Sequence, residues 1–226
     1  MPRNARCAWP GVPYHITQRG TNRQKVFYSI SDRRVYLALM RREQASCGVH
    51  VLAYCMPTNH VHLLMTPDRA DSLALLLRRV HGRYAQYLNA RLRRSGHLWQ
   101  NRFYSCPVEE SRLGVVLRYV EMNPVRAGLA REAKEHRWSS AAAHLGGADR
   151  SGLLDQGFWN EFCGVNAWER LLALGGDPLD EERLRRCTYG GRPYGGEAFL
   201  QTVEERFGRS WRRGVGEENR ARTAGW

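Results

Sequence analysis

The sequence predicts an α+β fold built around one antiparallel sheet, and three observations carry that expectation. Two β-rich segments, Val49 to Met56 and His60 to Thr66, flank the turn Pro57-Thr58-Asn59 at hairpin spacing. Stretches with helical apolar periodicity lie between the strand candidates. The order of elements lacks the strand–helix–strand alternation that builds a parallel sheet.

In chain order, Tyr14-His15-Ile16-Thr17-Gln18 reads as the first strand, followed by a turn, Arg19 to Arg23, holding Gly20. Asp32 to Ala45 reads as a helix, since Val35, Tyr36, Leu39 and Met40 recur at helical spacing. After the hairpin, Ser72 to Leu92 is a long amphipathic helix with an apolar stripe from Leu73 to Leu88 and arginines off it. Trp99 to Val108 is predicted as a strand. Ser111 is placed to cap a helix that stops at Met122, before Pro124. A short helix follows at Trp138 to Leu145. The polar, glycine-containing Gly146 to Gly152 is the best domain boundary, dividing residues 1–145 from a small helical C-terminal appendage, 146–226. Within the appendage, helices are expected at Asn166 to Leu174, Asp180 to Cys187 and Glu197 to Phe207, with a frayed basic tail from Gly208.

Composition narrows the class of function. The chain has 226 residues, 42% hydrophobic and 25% charged, which suits a globular core. No apolar run reaches the ~18–20 residues of a membrane helix, and the start is polar, so a cytoplasmic protein is expected. Formal net charge is +13, and 33 of the 35 basic residues are arginine. A GC-rich coding sequence favours arginine codons and accounts for at least half of such an Arg/Lys ratio. The excess of positive charge is a separate matter and points to a polyanionic partner. The six cysteines (Cys7, Cys47, Cys55, Cys106, Cys163, Cys187) form no Cys-x-x-Cys pair and read as buried small hydrophobes.

Two groups of residues could carry chemistry. On a strand, residues i and i+2 share a face, so His60 and His62 project together while Val61, Leu63 and Met65 point into a core. Two neutral imidazoles are half a site for a divalent cation, although His-x-His also arises on ordinary strands. On the helix after Ser111, the stripe Leu113, Val116, Leu117, Val120 must be buried, with Tyr119 beside it and Asn123 one turn on. By periodicity alone a tyrosine at position 119 is most often an amphipathic residue at the edge of a core.

The surrounding motifs add a resemblance. Met56-Pro57-Thr58-Asn59-His60-Val61-His62-Leu63-Leu64 resembles the HUH segment of single-tyrosine transposases. Tyr119-Val120-Glu121-Met122-Asn123-Pro124-Val125-Arg126-Ala127-Gly128-Leu129 resembles the tyrosine helix of the REP-associated tyrosine transposases. Tyr14 to Gly20, Trp99-Gln100-Asn101-Arg102-Phe103 and Trp138-Ser139-Ser140 match that branch in kind and order, with a weaker echo in Gly191-Arg192-Pro193. The resemblance implies a ferredoxin-like or RRM-like antiparallel sheet with helices on one face and the His pair on the open face. It implies cleavage and rejoining of single-stranded DNA beside hairpins through a 5′-phosphotyrosine, with Mg²⁺ or Mn²⁺. Carried over by position, Tyr119 is the nucleophile, His60 and His62 are metal ligands, and Asn123 is a third ligand, direct or through water. Arg19, Asn22, Arg23, Arg78, Arg83, Arg102, Tyr104 and Arg126 are the candidate DNA contacts. Monomer and homodimer both remain open.

Three rival readings stand beside this one. A domesticated protein could keep the fold and bind hairpins without cleaving them. Cys47, Cys55, His60 and His62 could build a zinc site, with Cys55 placed by strand alternation on the face of Val49, Val51 and Ala53. An RRM-like sheet could also bind RNA, although no strand carries the aromatic RNP pattern.

Overall fold

Four strands, β1 (Tyr14–Arg19), β2 (Val49–Cys55), β3 (His60–Pro67) and β4 (Tyr104–Pro107), form one sheet in the order β2-β3-β1-β4. Every neighbouring pair is antiparallel, as the hairpin-spaced segments predict. The computed structural model describes residues 8–211, so Cys7 and the end of the expected frayed tail lie outside the described residues.

Strand alternation sends Tyr14, Ile16, Val61, Leu63 and Met65 to one face, where they meet α1 (Ile30–Cys47) and α2 (Ser72–Arg91). Helix α1 begins at Ser29 with a capping box, Ser29 accepting from the Asp32 amide and Asp32 from the Ser29 amide. The buried Asp32 carboxylate also accepts from Tyr87 Oη and Arg91 of α2, so the start of one helix is pinned to the end of the other. Gly48, at φ 61°, closes α1 in a left-handed conformation open to glycine at little cost.

Helices cover the second face as well. Helix α3 (Leu113–Glu121) and α8 (Pro178–Gly190) lie on this side, α3 against β2 and β3, α8 against β4 and β1. Leu52, Ala53, Cys55, Leu64 and Cys106 supply the sheet's part of this second core. A β-bulge between Val51 and Ala53 makes this possible, since the extra residue switches the side on which the rest of β2 points. It also corrects the expected placement of Cys55, which faces α3 rather than sharing the face of Val49 and Val51.

The predicted strand from Trp99 to Val108 shrinks to four residues. The chain ahead of it wraps the end of β1, with Thr21 N bonded to Leu98 O and Gln100 N to Arg19 O. Trp99 is drawn to α2, where its indole N–H donates to the His81 carbonyl. The helix begun by Ser111 is likewise shorter: a 3-10 turn covers Glu110–Arg112 and α3 ends at Glu121. A new helix, α4 (Asn123–Arg126), then starts with Pro124 in its first turn, where the missing N–H costs nothing.

Residues beyond 146 do not stand off from the sheet. After α5 (Ala141–His144), α6 (Gln156–Phe162) and α7 (Val165–Ala173) place Trp159 and Trp168 in the same core as Val116, Leu117 and Val120. Helix α8 adds Leu184, and Tyr194 packs there too while its backbone N–H bonds Pro107 O beside β4. The last helix is α9 (Glu197–Phe207). Trp168→Ala is expected to destabilise the whole domain by ~3–5 kcal/mol, the cost of emptying a buried indole site. Urea unfolding followed by far-UV circular dichroism and by tryptophan fluorescence should show one transition at a lower midpoint. Separate transitions would mean that the C-terminal helices fold apart from the sheet.

Candidate active site

The second face of the sheet carries three histidines. In the β1–β3 ladder Arg19 stands opposite His60 and Thr17 opposite His62, while Cys55 of β2 stands opposite His62 on the other side. The His60 and His62 rings lie edge to face with centroids 4.9 Å apart, as the i, i+2 spacing predicts. His15 of β1 joins them, its ring parallel to His62 at 5.3 Å.

Tyr119 reaches this cluster because α3 buries its apolar stripe on Leu52, Ala53 and Leu64. The tyrosine stands beside the stripe, 6% exposed, with its ring edge-on to both His62 and His15 at 5.5 Å. Arg126 of α4 folds back over it, the guanidinium 4.4 Å from the ring centroid and donating to the Tyr119 carbonyl. The same guanidinium pairs with Glu181 of α8 at 3.1 Å. Burial pushes the Tyr119 hydroxyl pKa up, while Arg126 and Arg185 pull it back.

The histidines are held neutral. Burial, helped by Arg19, takes His60 down to about 4, and burial, with the neighbouring His60 and His15 rings and then Arg126 and Arg19, takes His62 well below the usual imidazole range. Neutral imidazole is the form that binds metal. Asn59 fixes which nitrogen His60 offers: its Nδ2 donates to the Arg23 carbonyl, so its Oδ1 accepts from His60 Nδ1–H at 2.7 Å. His60 Nε2 is thereby left with its lone pair. Asn123 has a buried Oδ1 with no hydrogen-bond partner, an acceptor that burial makes costly to leave unused. Among the described residues no group of three or more His, Cys, Asp or Glu is arranged to hold a metal. The four-residue zinc site is therefore not formed: Cys47 lies in the α1–α2 core, on the other side of the sheet from Cys55 and His62.

Residues 9–123 match the family model described as Transposase IS200 like. The chain belongs to the IS200-like transposase family. One solved structure, of a REP-associated tyrosine transposase bound to a REP hairpin, superposes with a TM-score of 0.56 at 16% identity, covering 69% of this chain and 89% of that one. At that identity the likeness shows the fold. A Deinococcus radiodurans protein given a provisional transposase name matches at 18% identity and TM-score 0.36, over 54% of this chain and 96% of its own. A search of curated proteins returns no match.

The fold sorts the transposase's remaining polar candidates into three places. Arg19, Tyr104 and Arg126 join the histidine face: Arg19 donates to Tyr189 Oη of α8 at 3.3 Å, and the Tyr104 ring meets the Tyr189 ring at 4.9 Å. Asn22 and Arg23 form an exposed 3-10 turn with positive φ beside Asn59. Arg78 and Arg102 instead flank a cavity of about 540 Å³ on the α2 side, walled by Leu77, Trp99 and Phe103. Arg83 pairs with Glu43 of α1 at 2.8 Å. Sequence reasoning missed His15, Thr188 and Tyr189. His15 had a signal, since it shares strand parity with Thr17 and Arg19. The other two had none, because nothing local says that α8 crosses this face.

The buried histidines set a pH dependence. Burial holds His15 and His81 at about 3 and is the main cause holding His60 at about 4, against 6.5 for an unfolded histidine. Below 6.5 the unfolded chain binds protons that the folded chain refuses, so stability falls with pH until the folded values are reached. At about pH 5 each of these rings is expected to cost the fold ~2 kcal/mol relative to neutral pH. Urea midpoints at about pH 7 and pH 5 check this, and equal midpoints would contradict burial of neutral rings.

Proposed function

We propose that this transposase-family protein cleaves and rejoins single-stranded DNA beside hairpins, with Tyr119 as the nucleophile. The observation that carries the reading is the packing of the Tyr119 ring against His62, on the face that also holds His60. The ordered motifs of the REP-associated branch support hairpin DNA as the substrate, and so does the net charge of +13.

Chemically, the neutral hydroxyl of Tyr119 must lose its proton as it attacks. Its Oη bonds to phosphorus while the bond from phosphorus to O3′ breaks, and the proton ends on the departing 3′ oxygen. The product is a 5′-phosphotyrosine that preserves the phosphoester, so a 3′-hydroxyl can later reverse the step and rejoin strands. Arg126, over the ring, stabilises the negative charge that builds on the phenol oxygen as its proton leaves. Its ion pair with Glu181 keeps it in place. His60 and His62, with Asn123 Oδ1, would hold a divalent cation, for which their neutral rings and unpartnered acceptor are suited. A bound Mg²⁺ or Mn²⁺ supplies Lewis acidity that neutralises the phosphate and makes it easier to attack. Arg19, with Tyr104 and Tyr189, forms the cationic and aromatic edge along which unpaired bases and phosphates would lie.

Incubation with a single-stranded hairpin oligonucleotide and Mg²⁺ or Mn²⁺ tests the reading. A covalent protein–DNA adduct should appear on a denaturing gel and vanish in Tyr119→Phe, with hairpin binding retained to within about twofold. Binding with no adduct under either metal would assign the chain to a hairpin-binding role instead.

A further inference from the structure

His15 is a buried imidazole that the reaction above does not use. It is 1% exposed, the second residue of β1, and both its ring nitrogens are engaged. Nε2 lies 3.1 Å from His62 Nδ1, and Nδ1 lies 2.8 Å from Thr188 Oγ1, contributed by α8. The hydroxyl of Thr188 is in turn 2.8 Å from the carbonyl oxygen of Leu184, one turn earlier in α8.

The direction of every bond in this chain follows from its last link. A carbonyl only accepts, so the single hydroxyl hydrogen of Thr188 points to Leu184 O. Thr188 Oγ1 must then accept from its other partners. One is the Cys106 thiol at 3.3 Å, whose pKa burial pushes up to about 12, so that it keeps its hydrogen. The other is His15, which therefore carries its hydrogen on Nδ1 and offers a bare Nε2. His62 must donate to it from Nδ1, which leaves the lone pair of His62 on Nε2. His60 reaches the same tautomer through Asn59.

We propose that His15 and Thr188 are positioning residues that lock His62 in its Nδ1–H tautomer, so that Nε2 is the nitrogen presented to a divalent cation. This rests on the reading of His62 as a metal ligand. It gives α8, which lies outside residues 9–123 of the family match, a part in preparing the metal site. Outer partners of this kind commonly change metal affinity 10–100-fold when removed.

Nitrogen-15 NMR of histidine-labelled, metal-free protein tests the tautomer directly. Wild-type His62 should show a protonated Nδ1 and an unprotonated Nε2. Thr188→Val, which keeps the shape but loses the acceptor, should convert His62 to a mixture of tautomers, and Thr188→Ser should restore the wild-type pattern. His15→Phe should act like the valine variant, while His15→Gln, whose amide oxygen can accept from His62, should act like the serine one. Mn²⁺ affinity, followed by electron paramagnetic resonance, should drop roughly 10–100-fold in the two disruptive variants and recover in the two conservative ones. A wild-type His62 protonated on Nε2 overturns the proposal without any variant needing to fold, and so does a tautomer unmoved by Thr188→Val. If the tautomers behave as expected but the wild-type protein binds no Mn²⁺, the metal reading fails while the hydrogen-bond assignment stands.

Discussion

The placement of the tyrosine helix depends on one buried carboxylate. Glu121, at the end of α3, has no contact with water, and its two oxygens are satisfied from three directions. Ser140 Oγ and His144 Nδ1 lie 2.5 and 2.6 Å from Oε1, while the Trp168 indole donates to Oε2 at 2.9 Å. Ser140 also receives the Tyr54 amide of β2, and the Ser140 amide bonds the Tyr54 carbonyl. A buried charge left without partners costs several kcal/mol, so the segments that supply them are drawn together. Tyr119, two residues before Glu121, inherits its position from this junction of α3, β2, α5 and α7.

That junction also accounts for the Trp138-Ser139-Ser140 motif. Ser140 is the link between Glu121 and β2, and the Met56 amide bonds the Trp138 carbonyl just beyond the strand. The Trp138 ring stacks under Arg33 and Arg137. A motif that reads as an isolated short helix is therefore a brace beneath the nucleophile candidate, held by packing and hydrogen bonding.

Desolvation sets the state of the histidine face. Burial holds the three imidazoles neutral, and the hydrogen-bonding groups around them, Asn59 on one side and Thr188 on the other, come from separate parts of the chain. The positive charge is kept at the border, on Arg19 and Arg126, each engaged with a residue of α8. Cations therefore stand at the rim of this face and neutral imidazoles at its centre.

Much of this was legible in the sequence. Period-two alternation fixed that His60 and His62 share a face and that Val61, Leu63 and Met65 oppose them, because strand parity is a local property of the chain. Helical periodicity placed Tyr119 at the edge of the α3 stripe, and the order of motifs gave the family. What tertiary structure alone decided is which elements meet across long separations. The bulge in β2 turned Cys55 to the face opposite its expected one, and Arg83 was claimed by Glu43 of a neighbouring helix. Above all, α8 came to lie across the sheet and bring Thr188 to His15 over a separation of 173 residues. Such contacts are chosen by the burial of whole faces and by the pairing of buried polar groups, and neither leaves a periodic trace in the residues that make them.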